Sequence, residues 1–187
     1  MKVLIVCTAN VCRSPMAAAL LEQCASRVGV VASVSSAGTE RHDLPVDPDA
    51  VTVMSELGLD IGRHIPRMLD RSIIDRDGAD LILTMTRAQL RVVATSAPGA
   101  LQRAFTVREL ARRLTMSDVS ADLTTLNHGR AARDLMGDDV TDDISDPYGA
   151  GLPRHRECAA ELDASLRAIA AGLHFLSSTS SGREGDA

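Results

Sequence analysis

The chain has 187 residues, a net charge of −5 and 45% hydrophobic side chains. That is length enough for one ordinary domain with its own core, which excludes a scaffold that depends on disulfides. No basic block points to nucleic acid, and no apolar run reaches the length of a membrane span.

In chain order, residues 2–6 read as a buried strand, because Val3-Leu4-Ile5-Val6 is a continuous apolar run. A short loop leads to a helix over residues 14–28, with Ser14 as its cap and Pro15 in its first turn. Val30–Ser35 reads as a second strand, with Ser36-Ala37-Gly38-Thr39 turning at its end. A helix follows from Asp47 to Leu57, closed by Gly58, then a connector from Ile61 to Pro66 and a short helix from Met68 to Asp75. Ala79–Met85 is the third strand, Arg87–Ala94 a helix, Ala104–Thr106 a brief fourth strand and Val107–Leu114 another helix. Thr115–Asp143 is polar and acidic, an elaborated loop with a helix-like stretch from His128 to Met136. Arg154–Leu176 is a long last helix, with Cys158, Leu162, Leu166, Ile169 and Leu173 on one face. The Ser/Gly-rich residues 177–187 read as a disordered tail.

Strands separated by helices predict an α/β fold: a parallel sheet with helices on both faces, in one domain spanning residues 1–176. Ligands of such sheets bind outside the carboxyl ends of the strands. The loop after strand one lies there, and Cys7, Asn10, Arg13 and Ser14 give it a chemistry. A thiol attacks only as thiolate, and loop amides, a helix N-terminus and a guanidinium all stabilise that anion. The same donors suit the charge on a phosphoryl group in transfer. Arginine serves better than lysine, since its planar fork holds two oxygens. Asn10 suits a left-handed backbone in mid-loop. Asp146, on a turn stiffened by Pro147, is the candidate proton donor to a leaving oxygen and the later base on water. Neither a metal nor another cofactor is called for.

Cys7-x5-Arg13-Ser14-Pro15 after an N-terminal strand, with Asp146-Pro147-Tyr148 downstream, resembles the low-molecular-weight protein tyrosine phosphatases. Ser36-Ala37-Gly38-Thr39 and Leu81-Ile82-Leu83-Thr84-Met85 agree with it. The resemblance implies a three-layer α/β/α sandwich on a four-stranded parallel sheet. It also implies two-step hydrolysis of phosphotyrosine-type monoesters through a phosphocysteine at Cys7. Thr8, Ala9, Asn10, Val11, Cys12 and Ser14 would form the phosphate loop, with Tyr148 at its rim. Ser36 and His64 would support the loop from behind. Under peroxide, Cys12 would resolve Cys7 as a reversible disulfide, a reading weighed equally with a packed thiol.

Some residues depart from the pattern. Ala9 replaces a usual glycine, yet the loop is expected to bind phosphate. His42 stands where tyrosine-directed members often carry an aromatic wall, and Gly149 where many have a second aromatic. Asp146-Pro147-Tyr148-Gly149 and Met85-Thr86 resemble the bacterial protein arginine phosphatases, the alternative reading. That branch carries threonine where this chain has Val11, and Val11 tips the reading toward phosphotyrosine. Arsenate reductases share fold and loop but use clustered cysteines beyond the third strand, and residues 79–110 contain none. A catalytically weak phosphate-binding module is the remaining class. The expected partner is a phosphoprotein, with no nucleic acid or membrane, in a cytoplasmic monomer or weak dimer. His128, His155 and His174 read as packed or solvated, Asp138, Asp139, Asp142 and Asp143 as a solvated loop, and Cys24 and Cys158 as core thiols.

Overall fold

In a computed structural model, residues 1–40, 44–76, 78–116, 125–127, 130 and 140–181 are described, without the side chains of 76, 125 and 175–181. Four strands form one parallel sheet: β1 (Lys2–Cys7), β2 (Ser33–Gly38), β3 (Leu81–Thr84) and β4 (Ala104–Thr106), in the order β2-β1-β3-β4. The helices are α1 (Arg13–Arg27), α2 (Pro48–Glu56), α3 (Arg71–Arg76), α4 (Arg87–Ser96), α5 (Val107–Met116) and α6 (Leu152–Ser181).

β1 is buried on both faces, which is why its sequence does not alternate. Val3 and Ile5 pack with Met16, Leu20 and Leu21 of α1 and with Leu162 and Leu166 of α6. Leu4 and Val6 point the other way, into a cluster with Ile73 and Ile74 of α3 and Leu90 and Val93 of α4. The expected sandwich of helix, sheet and helix layers is therefore present. β1 has β2 on one side and β3 on the other. The chain thus reverses its direction across the sheet at β1, and a crevice opens at the carboxyl end of that strand.

Three element assignments move. The second strand lies at Ser33–Gly38, three residues later than the apolar run Val30–Ser35 suggested. Val31 is 88% exposed and belongs to the connector. At the sheet edge, pairing with β1 decides the register: Ser36 lies opposite Ile5 and Gly38 opposite Cys7. Met68 belongs to a bridge with Gly38 rather than to a helix, and α3 starts at Arg71. α6 runs to Ser181, five residues into the stretch read as a tail. A 3-10 helix at Pro98–Arg103 leads into β4. Within the long acidic connection, single turns form at Thr125–Asn127 and Val140–Asp142. The helix-like stretch expected near 128–136, apart from Arg130, and His42, Asp138, Asp139 and the last six residues fall outside the described residues.

Candidate active site

Cys7 ends β1, and the chain then wraps into the loop that opens α1. The helix begins at Arg13, with Cys12 in the capping position and no side chain capping it. Ser14 is therefore not the cap that its residue type suggested. Its Oγ lies 2.9 Å from Cys7 Sγ and accepts from Asn10 Nδ2 at 2.9 Å. Because Ser14 accepts from the amide, its single hydroxyl proton is free for the sulfur. A second donor is the backbone N–H of Asn10, 3.2 Å from Cys7 Sγ.

Asn10 holds the loop's shape. It is fully buried with φ +59°, and no other non-glycine among the described residues has positive φ. Ala9 thus carries no left-handed strain, and the missing glycine costs the loop nothing there. Asn10 Nδ2 donates to Ser36 Oγ at 2.8 Å as well as to Ser14, while Oδ1 accepts from Arg67 N at 3.0 Å. Since Arg67 N can only donate, the amide's orientation is fixed. His64 Nε2 lies 3.0 Å from Asn10 O and must donate to that carbonyl. Burial holds the His64 imidazole below its ordinary pKa, a shift that bond opposes and the Arg67 charge reinforces. Ser36 and His64 thus both bond to Asn10 of the loop. Arg67 joins them, also donating from Nε to Ser36 O at 2.8 Å.

Arg13 is buried and braced. It donates to Ile144 O and to Thr8 Oγ1, each at 3.1 Å, and pairs with Asp146 Oδ2. The Asp146 segment is brought here by Ile144 N, which bonds Met85 O at the end of β3. Tyr148 N donates to Asp146 Oδ1 at 3.2 Å, and the Tyr148 ring is 52% exposed at the rim. The nucleophile candidate, the guanidinium and the carboxyl thus converge although 139 residues separate Cys7 from Asp146. Val11 is buried in the core cluster with Cys12 and Val46, and its carbonyl accepts from Asp47 N at 2.7 Å.

Burial pushes the Cys12 thiol far above the usual range, with charge at Cys158 and Asp47 adding to it. Burial likewise pushes Cys158 up to about 12, against the pull of Arg13. All four cysteines are free thiols.

Several contributors were not anticipated. Gln89 caps α4 with Thr86, accepts from Met85 N and Thr86 N, and turns its Nε2 onto Thr8 Oγ1 at 3.1 Å. The pattern Thr86-x-x-Gln89 signals the cap, but nothing local signals Thr8. Asp142 and Asp143 are not a solvated loop. Asp142 is buried and pairs with Arg87 at 2.5 Å and Arg112 at 3.0 Å, and Asp143 accepts from Arg87 N at 2.7 Å. They anchor the segment that carries Asp146 onto α4 and α5.

The model of low molecular weight phosphotyrosine protein phosphatases matches residues 2–123. A probable low molecular weight protein-tyrosine-phosphatase, EpsP of Ralstonia solanacearum, is 40% identical over 58% of this chain and 71% of its own length. The protein-arginine-phosphatase of Bacillus subtilis is 28% identical over 92% of this chain and 97% of its own. A solved YwlE arginine phosphatase, a C7S mutant with its active-site serine phosphorylated, superposes with a TM-score of 0.72 at 26% identity. It covers 92% of this chain and 95% of that one. With a cysteine loop at the switch point of a four-stranded parallel sheet, and a family match over most of its length, the chain belongs to the low molecular weight phosphotyrosine protein phosphatases.

Proposed function

We propose that this chain hydrolyses phosphotyrosine-type monoesters on proteins in two steps through a phosphocysteine at Cys7. The observation that carries the reading is the setting of Cys7 Sγ. It lies between Asn10 N and Ser14 Oγ, in a loop whose exit arginine is already paired with Asp146. The solved relative with a phosphorylated serine at its active site supports the same locus of transfer.

An incoming phosphate takes the Arg13 fork and the amides of Thr8 to Ser14, and Asp146 turns from Arg13 toward the ester oxygen. Asp146, released from Arg13, takes up the proton that Cys7 gives up on becoming the thiolate. The thiolate attacks phosphorus, the bond to the leaving oxygen breaks, and Asp146 passes that proton to the oxygen. Asp146, now a carboxylate, takes a proton from the water that attacks phosphocysteine. Inorganic phosphate leaves and the thiolate returns. Tyr148 supplies one aromatic face for a phenyl ring. Peroxide converts Cys7 to the sulfenic acid, and Cys12 closes a disulfide on it with loss of water. This chemistry suits a reducing cytoplasm and a monomer or weak dimer. No helix among the described residues is long and apolar enough to cross a membrane.

The arginine phosphatase reading is favoured by one observation, a relative of that name that aligns along 92% of this chain. Side-by-side assays of p-nitrophenyl phosphate, a phosphotyrosine peptide and phosphoarginine decide between them. Cys7→Ser should abolish turnover, and Asp146→Asn should lower kcat by about 10²-fold or more. Turnover untouched by Cys7→Ser rejects the mechanism. A strong preference for phosphoarginine selects the second reading.

A further inference from the structure

At the N-terminus of α2, Asp47, Asp49 and His155 present ligand atoms that all lie within 4.8 Å of one another. Asp47 and Asp49 flank Pro48, and His155 sits in the first turn of α6. His155 is 0% exposed. Its Nδ1 lies 3.0 Å from the carbonyl of Gly151, which can only accept, so Nδ1 carries a proton. The other ring nitrogen, Nε2, faces Asp47, whose Oδ1 lies 3.1 Å away and also accepts from Asp49 N at 2.9 Å and Ala50 N at 3.1 Å as the cap of α2.

Nε2 is buried and makes no hydrogen bond, so the Asp47 oxygen lies off the direction a hydrogen bond would take. A metal ion suits such an arrangement. With bonds of about 2.0–2.2 Å to nitrogen and oxygen, neighbouring ligands sit about 3 Å apart and off each other's axes. The Nε2 to Oδ1 spacing fits that separation. A hydrogen bond from the other ring nitrogen to a backbone carbonyl is also the usual support of a metal-bound histidine. Asp49, 43% exposed with its Oδ2 3.9 Å from the Nδ1 side of the ring, opens the cluster to solvent and adds a second carboxylate.

The geometry points to a binding site for one divalent transition-metal ion of borderline softness, such as Zn²⁺, formed by Asp47, Asp49 and His155. Bound there, the ion ties the first turn of α6 to the cap of α2. Asp47 N already bonds Val11 O, so the clamp reaches the cysteine loop, and Gly151 connects it to the Asp146 turn.

The test is a calorimetric titration of ZnCl₂ into the full chain carrying Cys7→Ser, which removes the reactive thiol as a rival ligand. One equivalent should bind. Asp49→Asn should weaken binding by about tenfold or more, and His155→Gln should do the same. Glu157→Gln, an exposed acid of the same helix, should leave it unchanged. The melting temperature should rise with zinc in the parent chain and not in Asp49→Asn. Should His155→Gln fail to fold, Asp49→Asn carries the test alone. No stoichiometric binding, or binding that Asp49→Asn leaves intact, overturns the site.

Discussion

Gln89 Nε2 donates to Thr8 Oγ1 at 3.1 Å, joining the first turn of α4 to the loop after β1 across 81 residues. Thr8 Oγ1 also accepts from Arg13 Nη2, so the two donors share one hydroxyl oxygen. Gln89 thereby positions Arg13 through Thr8. Gln89→Ala should lower kcat/KM on p-nitrophenyl phosphate by about tenfold, the size of one lost hydrogen bond of roughly 1 kcal/mol or slightly more. Gln89→Glu keeps the acceptor for Met85 N and Thr86 N but cannot donate to Thr8, so it should lose activity with less loss of stability. Equal activity in all three chains would reject the positioning role.

Gly38 is glycine because the cysteine loop lies on it. A Cβ there would come within 2.6 Å of Thr8 O, 2.8 Å of Ala9 C and 2.9 Å of Asn10 N, all backbone atoms. Nothing flexible can yield, so the loop itself must lift. Gly38→Ala should cost about 1–3 kcal/mol in denaturant unfolding. It should also reduce inhibition by vanadate, because the displaced amides no longer converge. An alanine variant as stable and as vanadate-sensitive as the parent would show that the loop is held elsewhere.

The layers and the loop were legible because they rest on local signals. A buried apolar strand, Cys7 and Arg13 at fixed spacing and Asp146-Pro147 are all written in adjacent residues. The edge strand was misplaced because its register follows β1 rather than its own apolar run, so exposed Val31 resembled a strand residue. Serine commonly caps helices, yet the Ser14 hydroxyl lies against Cys7 Sγ and leaves the helix start uncapped. Gln89, Arg67 and Asp142 act on partners far along the chain. Such contacts leave no periodic trace in a single sequence.

Cys12 and Cys7 belong to the same buried cluster, and the Cys12 thiol is held protonated well above neutrality by burial. Disulfide closure depends on the thiolate fraction of the attacking sulfur, so it should be slow at neutral pH and faster in alkali. After a peroxide pulse and treatment with reductant, the parent chain should recover most of its activity. Cys12→Ser should recover little, because Cys7 proceeds to irreversible acids. Full recovery in Cys12→Ser would make Cys12 a packing residue.

His64 couples the loop to pH. Its imidazole is held neutral in the folded chain, below the ordinary value of 6.5, chiefly by burial. In the unfolded chain it titrates at that ordinary value. Between the two values the unfolded state binds more protons, so acid favours unfolding in that window. Stability from His64 is complete above pH 6.5, and it is lost as pH falls toward the depressed folded value. His64→Gln retains an amide donor for Asn10 O but has no proton to gain. On moving from about pH 7.5 to about pH 5.5, urea midpoints should fall further for the parent than for His64→Gln. The other histidines contribute equally to both chains and cancel in the comparison. Parallel losses in the two proteins would mean that His64 keeps its ordinary titration, and that the Asn10 carbonyl does not depend on a neutral ring.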